Sequence, residues 1–215
     1  MKKLFLSMLL IPTIFVASAQ ETRLNVYGSY VFPDGFSFYN SSTDYYSGKL
    51  NGGGQWGASV EYMPDPWAGV ELLYLYKKSE APSSFKFGTL TTEKSETFDV
   101  QQHYILCGLN GHKMAMSKKA DGYFGVLLGM VITDVKSPST SKSSSNSNFA
   151  WGGKLGTDIW VSPKVGIKLQ AQILSATRAY GGDLYYGYWG PVAVPDYTTL
   201  WQFGLGAGLS YRLGK

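Results

Sequence analysis

The segment from Trp201 to Leu213 divides completely into two kinds of residue when every second position is taken. One set is apolar and rich in aromatic rings: Trp201, Phe203, Leu205, Ala207, Leu209, Tyr211 and Leu213. The other set is small or polar: Gln202, Gly204, Gly206, Gly208, Ser210 and Arg212. Successive side chains of a β-strand point to opposite faces, whereas a helix of about 3.6 residues per turn would mix the two sets. The segment is therefore predicted to be a long strand with one apolar face.

The same alternation recurs in seven further segments, and no segment after residue 20 keeps apolar residues at helical spacing over three turns. The predicted strands cover about 24–32, 54–62, 67–76, 98–109, 122–133, 149–161 and 165–174. A tilted strand needs roughly 9–11 residues to cross a bilayer, whereas strands of soluble sheets have about five or six. The lengths therefore favour an all-β fold over residues 20–215, an eight-stranded antiparallel up-and-down transmembrane β-barrel with its apolar faces turned to lipid.

The connections between the predicted strands alternate in length. The first, third, fifth and seventh are long, covering 33–53, 77–97, 134–148 and 175–199. The second and sixth are tight turns at 63–66 and 162–164, and the fourth, 110–121, is longer than a tight turn. Outer-membrane barrels combine short periplasmic turns with long extracellular loops. The alternation of long and short connections therefore predicts that both chain ends lie in the periplasm and that the long connections lie outside the cell.

Residues 1–19 have the form of a secretory signal peptide. Lys2 and Lys3 form a basic start, residues 4–16 an apolar stretch, and Ala17 to Ala19 a small-residue cleavage site. The apolar stretch is shorter than the roughly 20 residues of a membrane-spanning helix. The single cysteine, Cys107, lies far from this site, so we predict no lipoprotein anchor and an inert buried thiol. Cleavage is expected near Ala19/Gln20.

The composition supports a membrane barrel and opposes nucleic acid as a partner. The chain has 26 Gly, 16 Tyr, 11 Phe and 6 Trp, while only 16% of its residues are charged. Removing the two lysines of the signal leaves 17 basic against 15 acidic residues. Proteins that bind nucleic acid carry a marked basic excess. A chain this rich in rings and glycine but moderate in hydropathy is typical of a barrel with one lipid-facing side.

The closing strand, with its alternating glycines and its aromatic-basic-apolar end at Tyr211 to Leu213, resembles the closing strands of the OmpA/OmpX-type family, the outer-membrane protein β-barrel domain. The signal peptide and the eight alternating strands fit the same family. The resemblance implies residence in the outer membrane of a Gram-negative bacterium, in contact with lipid and lipopolysaccharide. It also implies delivery by periplasmic chaperones and the barrel-assembly machinery. We expect a monomer.

The inward faces are predicted to carry ionisable side chains: Glu61, Glu71, Asp99, His103, Lys154, Asp158, Lys168 and Arg212. This assignment puts Val100, Tyr104 and Leu106 on the lipid face of the weakest strand. Enclosed charges need partners, because desolvating an unpaired ion costs several kcal/mol. Asp158 and Lys168 lie five residues either side of Pro163, so a tight hairpin would pair them. A plug of salt bridges in a narrow lumen is favoured over a polar channel or ligand site.

No catalytic or metal site is predicted. Acyl hydrolysis needs a nucleophile, a histidine and a group that orients the histidine. His103 is assigned to the lumen and His112 to a periplasmic turn, and neither is followed by serine two residues later. Two separated histidines, one cysteine and no acidic cluster form no ligand set for a transition metal. We therefore predict a protein that is not an enzyme and holds no cofactor.

The loops suggest where a partner would bind. Residues 137–148 are rich in Ser and Asn and are predicted to be flexible and solvated. Residues 180–197 are dense in rings, and Tyr185, Tyr186, Tyr188 and Trp189 form a possible surface-binding loop. The alternative is that these rings lie at the membrane interface or cap the barrel mouth.

The leading functional prediction is a non-enzymatic structural or adhesive outer-membrane barrel. One alternative is a small-solute pore or a ligand-holding, porin-like barrel. Another is a soluble ligand-binding barrel in the manner of lipocalins, which would turn the apolar faces inward. The strand lengths and the alternation of long and short connections oppose this last alternative.

Overall fold

The computed structural model describes residues 21–39, 45–86, 94–114, 119–138, 143–180, 186–187, 190–191 and 196–213. All the regular secondary structure in this part of the chain is β-strand. The strands are β1 (Glu21–Val31), β2 (Asp34–Tyr39), β3 (Tyr45–Leu50), β4 (Gly53–Asp65), β5 (Ala68–Lys86), β6 (Lys94–Met114), β7 (Ala120–Lys136), β8 (Ser143–Trp160), β9 (Val165–Tyr180), β10 (Tyr186–Gly187), β11 (Gly190–Pro191) and β12 (Asp196–Leu213).

Eight of these strands form a closed antiparallel ring in the order β1, β4, β5, β6, β7, β8, β9 and β12, with β12 paired back to β1. The β2–β3 hairpin joins the ring through four residue pairs between β3 and the end of β5. We call the end of the ring with the β4–β5 and β8–β9 turns the turn end, and the opposite end the loop end. The prediction of an eight-stranded up-and-down barrel is confirmed.

The register around the ring is staggered by ten residues. Starting at Leu213 of β12, directly paired residues lead once around the ring and return to β12 at Phe203, ten positions earlier. The intermediate partners are Thr22, Tyr62, Val70, Leu109, Val126, Gly153 and Ile173. This stagger tilts the strands against the barrel axis, and eight strands enclose a lumen just wide enough for side chains.

The predicted assignment of faces holds in seven of the eight ring strands. On the outer face, for example, Leu128 is 55% exposed, and Leu169 and Leu205 are also exposed. On the inner face, Lys168 is only 2% exposed. The apolar side of these strands is therefore the outer wall of the barrel.

The β6 strand is the exception, and its predicted faces are wrong. Val100, Tyr104 and Leu106 are buried in the lumen, whereas Asp99 and His103 are on the outer face. Since β6 continues past the apolar band, its outer face is polar towards the loop end and apolar only from Ile105 to Leu109. In the sequence, this polar stretch therefore resembles the inward face of a strand, which is why the faces of β6 were predicted the wrong way round.

Cys107 shares the outward parity of His103 and is exposed, so the prediction of a buried thiol is also wrong. It lies between Leu72 of β5 and Leu128 of β7, two residues of the apolar outer wall. The thiol therefore belongs to the outer face of the barrel.

Several strands extend further than their predicted bounds. Residues 143–148, predicted to be flexible, belong to β8, and the predicted loop 33–53 contains β2 and β3. His112, predicted in a turn, lies in β6. The reason is that backbone pairing continues beyond the bilayer, whereas hydrophobic alternation marks only the part of a strand that meets lipid.

Two apolar clusters fill part of the lumen. The lower cluster, near mid-barrel, consists of Tyr27, Leu73, Leu75, Tyr104, Leu106, Leu127, Val131, Ala150 and Leu174. The upper cluster, towards the loop end, consists of Leu50, Ala81, Phe98, Val100 and Val135. On the outer face, aromatic pairs mark the margin of the apolar band, with Phe32 stacked on Phe203 and Trp151 edge-on to Trp201. Such rings are typical of the membrane–water interface.

Glycines on the inner face of β12 permit the close approach of β1. A Cβ atom added to Gly208 would lie 2.1 Å from the carbonyl oxygen of Val26, whereas one added to Gly28, on the outer face of β1, would meet nothing within 4 Å. We predict that Gly208→Ala lowers the free energy of unfolding by about 1–3 kcal/mol, because the backbone must shift to admit the methyl group. Urea unfolding in lipid vesicles measures this. Gly28→Ala is the matched control, and equal stability of the two variants would contradict the prediction.

Candidate functional site in the barrel lumen

Ionisable side chains from all eight ring strands converge in the lumen near the turn end. We call this group the lumen network, which contains Glu21, Arg23, Glu61, Glu71, His112, Asp121, Lys154, Asp158, Lys168 and Arg212. Each side chain comes from an inward position of its strand. Five acids face four lysine or arginine side chains and one histidine, so most of the charge of the network is neutralised within it.

Arg23 links opposite walls of the barrel. Its guanidinium lies 3.5 Å from Asp121 and 3.4 Å from Asp158, and it also pairs with Glu21. Strands β1 and β7 stand four places apart in the ring of eight, so the contact with Asp121 crosses the full width of the lumen. Trp160 donates to Asp121 at 2.8 Å and lies under the guanidinium, which is 5.0 Å from the ring centroid. One arginine therefore joins three acids and an indole.

Arg212 closes the same group at its outer edge. It approaches Asp121 at 3.3 Å and Glu21 at 3.0 Å, and its guanidinium lies 3.4 Å from the centroid of the Trp160 ring. The side chain is partly exposed, as expected at the mouth of the lumen. Two arginines thus share the indole and two carboxylates across the turn end.

Deeper in the lumen, two glutamates are held by a histidine, an amide and a lysine. His112 Nε2 donates to Glu61 at 2.8 Å, while Arg23 approaches its Nδ1 at 3.4 Å, which fits a neutral imidazole that donates at one nitrogen and accepts at the other. Asn110 donates to both Glu61 and Glu71. Lys154 forms an ion pair with Glu71. Each buried carboxylate therefore has a donor of its own.

Asp158 and Lys168, predicted as partners across the β8–β9 hairpin, face each other in the register, and their charged atoms lie 3.0 Å apart. The Lys168 ammonium also lies 4.0 Å from the centre of the Tyr123 ring. The ring offers its negative face to the cation. The Tyr123 hydroxyl donates to Gln170 at 2.9 Å, which fixes the position of the ring.

The structure brings six of the eight predicted lumen residues together and excludes two. Glu61, Glu71, Lys154, Asp158, Lys168 and Arg212 join the lumen network. Asp99 and His103 do not, because the outer face of β6 carries them. His103 instead shares a 2.8 Å hydrogen bond with the Tyr74 hydroxyl and lies 4.0 Å from Asp134.

Sequence reasoning missed Glu21, Arg23, Asp121 and His112. The predicted strands began at 24 and 122 and ended at 109, so these residues fell just outside them. Extending the alternation would have placed Arg23 on the face of Asn25, and Asp121 on the face of Gly125. The signal was present, but alternating hydrophobicity fades at the membrane margin.

Two pairs of glutamines bridge the lumen, one beyond the lower cluster and one beside it. Gln202 of β12 donates to Gln102 of β6 at 2.9 Å, and these strands again stand opposite each other in the ring. Gln172 of β9 donates to Gln55 of β4. The described lumen is therefore crossed by an ionic layer, an apolar layer and glutamine bridges.

Among the residues that the structure describes, no three His, Cys, Asp or Glu side chains are grouped so that they could hold a metal ion. In the same part of the chain, no helix is long and apolar enough to cross a membrane. Of the proposed surface-binding rings, Tyr185, Tyr188 and Trp189 lie outside the described residues. The backbone of Tyr186 pairs with Pro191 in the short β10–β11 hairpin.

The fold is similar to solved structures of outer-membrane proteins. OprG from Pseudomonas aeruginosa is 15% identical with a TM-score of 0.58, and the match covers 92% of this chain and 98% of OprG. Neisserial surface protein A is 13% identical with a TM-score of 0.53, covering 87% of this chain and 96% of that one. The outer membrane protein AlkL is 12% identical with a TM-score of 0.51, covering 91% and 90%. No protein-family model matches the sequence, and no curated protein is significantly similar to it.

The ring, its stagger and these similarities define the class: the fold is that of an eight-stranded outer-membrane β-barrel. The resemblance to OmpA/OmpX-type barrels is confirmed at the level of the fold. At these identities the similarity carries no information about the activity.

The pairing of Lys154 with Glu71 yields a test of the lumen network. We predict that Lys154→Met lowers the free energy of unfolding by about 3–5 kcal/mol, because it leaves the buried Glu71 carboxylate without its cation. Adding Glu71→Gln to that variant should restore most of the loss. Lys164→Met, in the exposed β8–β9 turn, is the control for removing a lysine. The readouts are the heat-modifiable gel shift and urea unfolding, and an unchanged profile for Lys154→Met would refute the prediction.

Proposed function

We propose that this protein is a non-enzymatic outer-membrane barrel with a closed lumen, which presents its loop end as a structural or adhesive surface. In this proposal the signal peptide is removed near Ala19/Gln20, and the barrel resides in the outer membrane of a Gram-negative bacterium. The turn end faces the periplasm and the loop end faces the outside.

The main support is the filling of the lumen. Arg23 and Asp121 span its full width near the turn end, Gln102 and Gln202 span it again beyond the lower cluster, and apolar side chains pack between these levels. A hydrated solute would have to break ion pairs and then cross an apolar layer, which is costly for polar groups. This arrangement favours a structural or adhesive role over the pore.

The strands at the loop end supply a surface suited to recognition. Beyond the apolar band, β5 and β6 remain paired as far as Phe85 and Lys94, and β7 and β8 remain paired as far as Lys136 and Ser143. Paired strands are already ordered, so binding to them costs less conformational entropy than binding to free loops. The outward side chains of this region are polar, as a surface outside the membrane requires.

The histidines support the absence of hydrolytic catalysis. His112 is enclosed between Glu61 and Arg23, and His103 contacts Tyr74 and Asp134 on the outer face. No serine or cysteine is among the described hydrogen-bond or ion-pair partners of either ring. A hydrolase of the serine or cysteine type would need such a nucleophile beside its base.

The proposed partners follow from the surface of the barrel. The apolar outer wall contacts outer-membrane lipid, and the aromatic margin at the loop end meets lipopolysaccharide. Because lipid covers the apolar wall, we propose a monomer. Periplasmic chaperones and the barrel-assembly machinery would deliver and insert the chain.

Conductance in a planar bilayer tests the closed lumen. We predict that the purified protein adds no stable conductance steps, because the Arg23–Asp121 and Gln102–Gln202 contacts bridge opposite walls. A general porin in the same detergent is the positive control. Ohmic steps from correctly folded, heat-modifiable protein would favour the small-solute pore instead.

Replacing the rings of the 180–197 segment tests the adhesive role. We predict that changing Tyr185, Tyr186, Tyr188 and Trp189 to Ser abolishes most binding of barrel-displaying cells to purified lipopolysaccharide or to matrix-coated plates, while membrane insertion is retained. Exposed aromatic rings supply much of the binding energy of recognition surfaces. Tyr211→Ser, at the opposite end of the barrel, is the control. Unchanged binding with intact heat modifiability would remove this segment from the proposal.

A further inference from the structure

Lys77 is a buried lysine without a hydrogen-bond or ion-pair partner among the residues that the structure describes. It occupies an inward position of β5 and is 0% exposed. No described group forms a hydrogen bond with its Nζ. An ammonium enclosed by a protein without a counter-charge is destabilising by several kcal/mol. The other buried lysines of the lumen, Lys154 and Lys168, each have a carboxylate partner.

Lys77 belongs to a polar belt that separates the two apolar clusters. Along the inner face of β5, Lys77 and Ser79 lie between Leu75 of the lower cluster and Ala81 of the upper cluster. The same order recurs on the next two strands, with Gln102 between Tyr104 and Val100, and Thr133 between Val131 and Val135. In β4, Gln55 lies directly opposite Lys77. The belt is therefore a distinct layer enclosed by apolar side chains.

The groups of the belt without described partners can supply hydrogen-bond donors. Gln55 Nε2, Ser79 Oγ and Thr133 Oγ1 are buried and, like Lys77 Nζ, have no described partner. Because Gln172 donates to Gln55 Oε1, the free end of the Gln55 amide is the donor. Gln102 is already engaged with Gln202 and Tyr104. One cation beside free amide and hydroxyl donors is a setting that favours an anion.

The carboxylates of the barrel leave this cation unpaired. Asp34 attracts Lys77 electrostatically but forms no hydrogen bond with it. The Asp34 carboxylate accepts the backbone N–H of Trp201 at 2.9 Å. The lumen carboxylates Glu61, Glu71 and Asp158 are paired on the other side of the lower cluster. Among the described carboxylates, therefore, none forms an ion pair or a hydrogen bond with Lys77.

We propose that the polar belt binds a small monovalent oxyanion of the carboxylate type, with Lys77 as its counter-ion and Gln55 and Ser79 as further donors. A single ammonium matches a single negative charge. Access is from the loop end, because the lower cluster and the lumen network close the other side. Leu50 of the upper cluster comes from β3, outside the ring, so displacing this one side chain would leave the pairs between ring strands intact. This site is additional to the recognition surface proposed above.

Formate is the probe, and the matched pair of variants is Lys77→Met and Lys78→Met. Lys78 is the next residue of β5 but is exposed on the outer face, so both changes remove one lysine and one charge. The unfolding midpoint in detergent micelles is measured with increasing sodium formate, using sodium chloride at equal ionic strength as the reference. We expect formate to raise the midpoint of the wild type and of Lys78→Met by a few degrees, and to leave that of Lys77→Met unchanged.

Lys77→Gln distinguishes an anion site from a hydrated one, because glutamine keeps a polar group but no charge. A lost formate response in this variant supports the anion site, whereas a retained response overturns it. Crystals of Lys78→Met soaked in sodium bromide provide the direct readout, an anomalous peak within hydrogen-bonding distance of Lys77 Nζ. Equal formate responses in all variants would refute the proposal, and so would crystals that show only water beside Lys77 Nζ. The crystals decide the question even if Lys77→Met fails to fold.

Discussion

The structure depends on a ring of backbone hydrogen bonds that has no open edge. In a bilayer, an unpaired backbone N–H or C=O costs several kcal/mol, so a sheet can cross it only when its first and last strands pair. Here β1 pairs with β12, and a stagger of ten residues accumulates around the ring. Number and stagger of strands together set the width of the lumen, which has room for side chains. The packing of the interior follows from this closure.

A narrow lumen explains why its polar groups are so closely coupled. Water cannot surround the enclosed charges of the lumen network, so they pair across strands, and a single arginine, Arg23, reaches the opposite wall. Glycines such as Gly208 admit the neighbouring backbone where a side chain would collide with it. The apolar clusters then divide the interior into layers. Lys77 stands out because it has the burial of the network lysines without their pairing.

The predictability of each strand depended on how much of it lies within the apolar band. The β9 and β12 strands alternate cleanly, and their faces were predicted correctly down to Lys168 and Arg212. The β6 strand runs on beyond the band, where its outer face becomes polar, so that Asp99 and His103 were assigned to the wrong side. Arg23 and Asp121, at the ends of β1 and β7, were missed for a related reason. The alternation of hydrophobicity weakens where lipid gives way to water.

The sequence by itself determined the strand-forming alternation, the number of ring strands and the outward direction of the apolar faces. These properties depend on a residue and its near neighbours along the chain, because adjacent side chains of a strand point to opposite sides. Only the tertiary structure decided that Arg23 meets Asp121, that Gln102 meets Gln202 and that Lys77 lies directly opposite Gln55. Such contacts depend on the register of every strand pair between the partners. The register of one strand pair adds to that of the next around the closed ring. No local pattern in the sequence therefore predicts which residues meet across the lumen.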